Sequence, residues 1–314
     1  MAAKTRNRPP KKRSIQQPKT PPAVRSPWLG AGAAIGLAAL AAVLVLTVFS
    51  GGKSSEKFST GLPRTPDYHS LLVDPADPQT LVLGTHTGLY LSKDGGRHWR
   101  LSGLPGDDAM NLARPAGRTI WLAGHNVFEK SVDGGTTWAA VRPSGLPSLD
   151  IHGFAVDPRS PGTLYAAVAG QGLYRSTDGA RSFSLLSNEV GGAVMALAVM
   201  RDGRILAGDM QQGLLQSRDG GRSWRQTLGA QVLGLAVDLA DPRRVLATGA
   251  GIALSSDGGR TWRPVLELSS GAGPVAWSPS NPRIAYAVGL DRTFYRSTDR
   301  GETWQVVGEG GGAS

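Results

Sequence analysis

Six short segments of one pattern, about forty residues apart, constrain this chain more than any other feature. They read SKDGGRHW (92–99), SVDGGTTW (131–138), STDGARSF (176–183), SRDGGRSW (217–224), SSDGGRTW (255–262) and STDRGETW (297–304). Their first serines stand 39, 45, 41, 38 and 42 residues apart. Self-similarity at such a period marks an array of like units that bury their apolar faces against one another. The text before the boxes recurs as well. LLVDPADPQTLVLGTHTGLYLS (71–92) parallels FAVDPRSPGTLYAAVAGQGLYRS (154–176) and LAVDLADPRRVLATGAGIALS (235–255).

Each unit reads as four short strands. An apolar run (LLV, FAV, LAV) stops at or near Asp-Pro, a second run follows, and a Gly-containing turn leads to a third. The third run ends in the box, and the fourth begins at its aromatic residue. Runs of this length between Gly, Pro and Asp are strand signals. A single four-stranded sheet leaves one face bare, whereas six set around an axis cover one another and leave only short edges. The expected fold is all-β: a six-bladed β-propeller of four-stranded antiparallel blades over residues 67–308, preceded by one transmembrane helix.

The box residues suit a tight turn between the third and fourth strands. Asp94, Asp133, Asp178, Asp219, Asp257 and Asp299 are expected to accept hydrogen bonds from turn amides, with Ser closing the loop and the Gly pair supplying positive φ. Trp99, Trp138, Phe183, Trp224, Trp262 and Trp304 are expected to anchor the fourth strand between neighbouring sheets. Six copies of one motif argue for a structural role rather than a catalytic one. Ala180 and Arg300 stand where the other boxes have Gly, so slightly altered turns are expected there.

These motifs resemble the Asp-box, or BNR, repeat family of β-propellers, over about residues 67–308. The family includes sialidases, xyloglucan-cleaving glycosidases, sortilin-type receptors and photosystem II assembly factors. The opening unit, with DYHSLLVDP and GTHTGLYLS, is also similar to exported bacterial propellers described as glycosyl hydrolases. The resemblance implies the fold and leaves the function open. Closure of the ring is open too. KFSTGLP (57–63) is similar to WRLSGLP (99–105) and would serve as an outer strand of the last blade, but Trp304 and the following Gln-Val-Val already offer one.

Charge is unevenly distributed. The chain carries 34 Lys+Arg against 24 Asp+Glu, yet residues 1–26 hold eight of the basic residues and no acid. The remainder, 26 against 24, is nearly neutral, which argues against a nucleic-acid-binding body. Residues 1–27, basic and Pro-rich, read as a disordered cytoplasmic tail. Residues 28–49 run for 22 residues without a charge, about 33 Å as a helix and enough to cross a bilayer. With the positive tail before it, the segment 28–50 reads as an uncleaved signal anchor that leaves the propeller outside the membrane. Gly32 and Gly36 form a GxxxG pair suited to weak homodimer contact. Residues 51–66 read as a linker and 309–314 as a flexible tail. No Cys is present, which excludes disulfides and thiolate chemistry.

The boxes and the Asp-Pro turns fall on one face of such a disc. The linkers into each first strand and the turns between second and third strands fall on the other, where function is sought. His69 and His152 stand at the start of first strands, and His86 and His125 in two–three turns, so four of the five histidines share that face. His98 belongs to a box and is expected at the surface. Asp67, Asp107, Asp108, Asp150, Glu189, Asp209 and Asp291 are expected on the same face as the four histidines. This rim reads either as a ligand or metal site at the channel mouth or as ordinary polar loop residues. No cofactor is expected, and no catalytic group is assigned.

A sialidase needs an arginine cluster and an Arg-Ile-Pro signature. Here Arg64 precedes Thr65 and Pro66, and Arg97, Arg175, Arg218, Arg222, Arg260 and Arg296 lie in boxes or third strands. A glycosidase needs two carboxylates across a cleft, and no pair stands out. The favoured reading is a membrane-anchored scaffold that binds a protein or glycan on the face opposite the boxes. A non-sialidase glycoside hydrolase acting on extracellular polysaccharide is the alternative.

Overall fold

The computed structural model describes residues 58–308 apart from Ala116. All of its regular elements are strands, grouped into six antiparallel sheets. Among the described residues no helix is long and apolar enough to cross a membrane, and the proposed span at 28–50 lies outside them.

Blade 1 comprises Tyr68–Val73, Leu81–Thr85, Gly88–Ser92 and His98–Gly103. Blade 2 comprises Asn111–Ala113, Ile120–Ala123, Phe128–Ser131 and Ala139–Ala140, and blade 3 Ile151–Asp157, Ser160–Val168, Gly172–Ser176 and Ser184–Ser187. Val194–Val199, Ile205–Asp209, Gly213–Ser217 and Arg225–Leu228 form blade 4. Blade 5 follows with Gly234–Val237, Val245–Thr248, Gly251–Ser255 and Arg263–Glu267, and blade 6 with Ala272–Trp277, Ala285–Gly289, Phe294–Ser297 and Gln305–Gly308. Each sheet is a simple meander, and the first strands touch in cyclic order, the first against the last included. Burial is high in the second strands and least in the fourth. Second strands such as Ile205–Asp209 and Ala285–Gly289 are buried throughout, while fourth strands such as Arg225–Leu228 and Gln305–Gly308 are exposed or only half-buried. The apolar runs in the sequence are thus the strands covered on both faces.

The six boxes share one hydrogen-bond pattern. In blade 1, Ser92 Oγ donates to Asp94 Oδ1 (2.9 Å), and the Gly96 N–H donates to Ser92 Oγ (2.9 Å). The N–H groups of Arg97 and His98 donate to Asp94 Oδ1 at 3.1 and 3.0 Å. A hydroxyl then caps the other carboxylate oxygen in the remaining blades, from Thr137, Ser182, Ser223, Thr261 and Thr303. In blade 1 the Nδ1 of His98 takes that place, at 2.6 Å. His98 is accordingly a surface box residue.

The two Gly replacements leave this turn unaltered, contrary to expectation. Ala180 and Arg300 take φ of 68° and 69°, the left-handed conformation of the glycines they replace, and both boxes keep the Ser and Asp bonds of the turn. The turn is imposed by the Asp and Ser bonds, so an L residue is forced into it at a cost of about 1–2 kcal/mol.

Each box aromatic packs onto the blade before it. Trp138 joins Leu89 of blade 1, Phe183 joins Trp121 and Phe128 of blade 2, and Trp224 joins Tyr165 of blade 3. Trp262 joins Leu206 of blade 4, Trp304 joins Leu246 of blade 5, and Trp99 joins Tyr286 and Phe294 of blade 6. The six apolar clusters are therefore the six blade junctions.

The N-terminal segment is placed differently from the outer strand of blade 6 considered above. Blade 6 keeps Gln305–Gly308 as its own fourth strand, and Ser59–Thr60 pairs with the fourth strand of blade 1, Ser59 opposite Trp99 and Thr60 opposite His98. Leu62 is then buried in the junction of blades 6 and 1, as Leu146 of the similar VRPSGLP segment packs into the junction of blades 2 and 3. The described part of this segment thus adds an outer strand to blade 1 and fills the junction of blades 6 and 1.

Candidate functional site

The three acidic residues that open blades 1, 2 and 3 occupy equivalent linkers. Asp67 precedes Tyr68–Val73, Asp108 lies between His98–Gly103 and Asn111–Ala113, and Asp150 precedes Ile151–Asp157. His69 and His152 are the second residues of their strands, and His86 and His125 lie in the two–three turns of blades 1 and 2. Seven residues from three consecutive blades therefore converge at one place.

Asp108 is the centre. Its Oδ2 accepts from Nδ1 of His125 at 2.5 Å and lies 2.8 Å from Nδ1 of His86. A carboxylate only accepts, so His125 carries a proton on Nδ1 and turns its Nε2 away from Asp108. The Nε2 of His86 lies 3.2 Å from Asp67 Oδ2. The Nε2 of His125 lies 3.2 Å from Asp150 Oδ1 and 2.9 Å from Nε2 of His152, which is itself 3.0 Å from the same Asp150 oxygen. The rings of His86 and His125 stack at 6.1 Å, and His69 meets His86 edge-on at 4.4 Å.

The inner end of the cluster is buried. His69 Nε2 and Asp108 Oδ1 are buried without a hydrogen bond and lie 3.7 Å apart. Burial first, then the neighbouring His86, pulls the His69 pKa down to about 4, so this imidazole is neutral at pH 7. His69 also lines a narrow axial cavity of about 80 Å³, with Leu71 of its own strand and Leu112, Leu197, Leu235 and Val275 from other first strands. The outer end is open, with His125 39 % and Asp150 45 % exposed.

Three His/Asp trios have ligand atoms close enough to share an ion: Asp67 with His69 and His86; Asp108 with His86 and His125; and Asp150 with His125 and His152. The other acidic residues of this face lie outside all three. Asp107 sits near Glu129, whose pKa is raised by burial and then by Asp107. Asp209 is buried and caps its own turn, accepting from the N–H groups of Gln211 (2.7 Å) and Gln212 (2.8 Å). Asp291 does the same for Thr293, and Glu189 is exposed beside Gln211 and Gln212.

Two features escape sequence reading. Asn111 donates through Nδ2 to the carbonyls of Ile151 and His152 and accepts from the Phe154 N–H, pinning the strand that carries His152. Nothing in the repeat pattern marks it. A hollow of about 680 Å³ runs along the junction of blades 4 and 5, walled by Leu228, Val232, Ile252, Trp262, Pro264 and Leu266. Its walls come from separate segments of two blades between Leu228 and Ser269, and no local motif announces it.

Residues 70–310 match the family described as photosynthesis system II assembly factor YCF48. The chain belongs to this family. No curated protein matches the sequence. Among solved structures, the GH74 xyloglucanase from Xanthomonas campestris is 18 % identical at a TM-score of 0.56, covering 80 % of this chain and 46 % of the enzyme. The chain thus spans about half the length of that enzyme. A YCF48 structure with a bound D1 peptide is 20 % identical at a TM-score of 0.51, covering 80 % of this chain and 83 % of that one. YCF48 from Cyanidioschyzon merolae is 17 % identical, with a TM-score of 0.50 over 79 % and 87 % of the two chains. At these identities the likeness is one of fold.

Proposed function

We propose that this YCF48-family chain is a binding and assembly scaffold that holds a segment of a partner protein. The observation that carries this reading is the family match over residues 70–310, supported by a peptide-bound member of similar fold. The apolar hollow between blades 4 and 5 suits an extended, partly apolar segment, with Gln231 and Glu267 at its margin for its polar groups. The scaffold is tethered through residues 28–50, with its N-terminus cytoplasmic and the propeller outside the membrane. Support for that tether is the uncharged 22-residue run behind a basic tail. Contact between two tethers through Gly32 and Gly36 belongs to the same proposal.

Ala250 is exposed at the margin of the hollow, so Ala250→Arg obstructs it without touching the core. Cross-linking of the full-length chain in its own membranes is expected to capture a specific partner peptide, and A250R is expected to lose it. Capture unaffected by A250R would remove the hollow from the proposal. Turnover of xyloglucan or aryl-glycosides, abolished by substituting a carboxylate of the rim, would overturn the scaffold reading in favour of a glycoside hydrolase. C-terminal reporter fusions active only in the cytoplasm would overturn the topology.

A further inference from the structure

We propose that His125, Asp150 and His152 form a site for a divalent transition-metal ion of the Zn²⁺ class, with Asp108 as the positioning residue for His125. The three donor atoms, His125 Nε2, His152 Nε2 and Asp150 Oδ1, make a nearly equilateral triangle with sides of 2.9, 3.0 and 3.2 Å. An ion about 2.0–2.1 Å from each donor stands about 1 Å out of the plane of such a triangle. The triangle is therefore already one face of a coordination shell.

Proton arithmetic favours a cation there. Asp108 holds the His125 proton on Nδ1, which leaves a lone pair on Nε2. Asp150 Oδ1 offers lone pairs only. The one proton that a neutral His152 supplies satisfies one of these two acceptors and leaves the other facing a lone pair at about hydrogen-bond distance. A metal ion accepts all three lone pairs at once. The Asp108–His125 contact at 2.5 Å is the carboxylate–histidine arrangement that fixes tautomer and ring orientation in metal sites.

The backbone behind the trio is fixed. His125 and Asp150 form a β-bridge, the Ala169 N–H donates to the Asp150 carbonyl (2.9 Å), and Asn111 holds the His152 carbonyl (3.1 Å). Asn126, in the left-handed region at φ 59°, turns the chain after His125, and its N–H donates to the Leu149 carbonyl (3.1 Å). Ligands from blade 2, the linker and blade 3 are thus placed before any ion arrives. The exposed side of the triangle leaves room for water or a donor from outside, the arrangement of an open rather than a closed site. Imidazole and carboxylate donors in this number suit Zn²⁺, Co²⁺ or Ni²⁺ better than Ca²⁺ or Mg²⁺, which favour all-oxygen shells.

The full-length chain, stripped with chelator and desalted, is titrated with Zn²⁺ against a competing indicator, and with Co²⁺ followed by its visible absorption. Binding of Zn²⁺ with Kd below about 10 μM and a Co²⁺ spectrum of low coordination number are expected. His152→Ala and Asp150→Asn should each weaken Zn²⁺ binding at least about 100-fold, and Asp108→Asn about 10- to 100-fold. His98→Ala, in a box on the other face, should leave it unchanged. Zn²⁺ should raise the thermal midpoint of the wild type and not of His152→Ala. The midpoint without metal shows whether each variant is folded, and Asp150→Glu tests whether a conservative carboxylate retains binding. Zn²⁺ binding weaker than about 100 μM by the folded wild type would overturn the proposal. So would tight binding that His152→Ala and Asp150→Asn, both folded, leave intact.

Discussion

Trp99 of the first blade meets Phe294 of the last edge-on, with ring centroids 5.5 Å apart and planes at 81°. Both side chains are completely buried, and Phe294 also lies against Gly96 of the box that precedes Trp99. The indole N–H donates to the Gly96 carbonyl at 2.9 Å, which fixes the ring against its own turn. Around this pair the ring closes, with Leu62, Tyr286 and Val307 beside it and the Tyr286 hydroxyl donating to the Pro78 carbonyl (2.9 Å). No covalent link joins the first and last blades, so packing at this junction carries closure.

Truncation of either aromatic should therefore be costly. Trp99→Ala and Phe294→Ala are each expected to destabilise the propeller by about 3–5 kcal/mol, and the double variant by less than the sum. Denaturant unfolding of the four proteins measures this. Additive losses would mean that the two rings act independently.

Arg300 provides a test in the opposite direction. Its φ of 69° suits Gly, and its N–H bond to the Arg283 carbonyl (2.9 Å) does not involve the side chain. Arg300→Gly should raise stability by about 1 kcal/mol. A loss of stability on urea unfolding would show that the arginine side chain contributes more than its backbone strain costs.

The box carboxylates set the acid limit. The Thr137, Ser182 and Ser223 hydroxyls, followed by the N–H groups of the same residues, hold Asp133, Asp178 and Asp219 well below the usual carboxylate range. Their folded pKa values lie below the unfolded value, so the unfolded chain binds more protons as pH falls. Their contribution is complete above the ordinary value of 3.8 and is lost as pH drops through the folded values. Midpoints measured from pH 5 to pH 2 should fall, and Asp178→Asn should flatten part of that fall. An unchanged slope would separate the box from acid sensitivity.

His69 acts over a higher window. Its folded pKa of about 4 lies below the ordinary 6.5, so the unfolded state gains a proton first. The stability linked to a neutral His69 is present above about pH 6.5 and is lost as pH falls through about 4. His69→Asn should lessen the decline in thermal midpoint between those limits. NMR titration of the imidazole checks the same point directly, and a midpoint near 6.5 would refute the burial argument.

Repetition in the sequence determined the architecture. Six Ser-x-Asp boxes at blade spacing fixed the number of sheets, the place of each turn and the aromatic that anchors each fourth strand. These rest on interactions within a few residues, as with Ser92, Asp94 and Gly96, so local text suffices to specify them. The shared face of His69, His86, His125 and His152 was legible for the same reason, since each occupies a defined position in its repeat. Which acids join them was not. Asp108 lies within the cluster while adjacent Asp107 lies near Glu129, and buried Asp209 is consumed by its own turn. Neighbouring residues in a linker can face opposite ways, and only the packing of three blades selects one. Ring closure was a tertiary decision as well: Ser59–Thr60 joins blade 1 because blade 6 already has its fourth strand and Leu62 fills the junction between them. Turns depend on bonds to near neighbours along the chain, whereas junctions and shared sites depend on distances between residues that only the closed ring brings together.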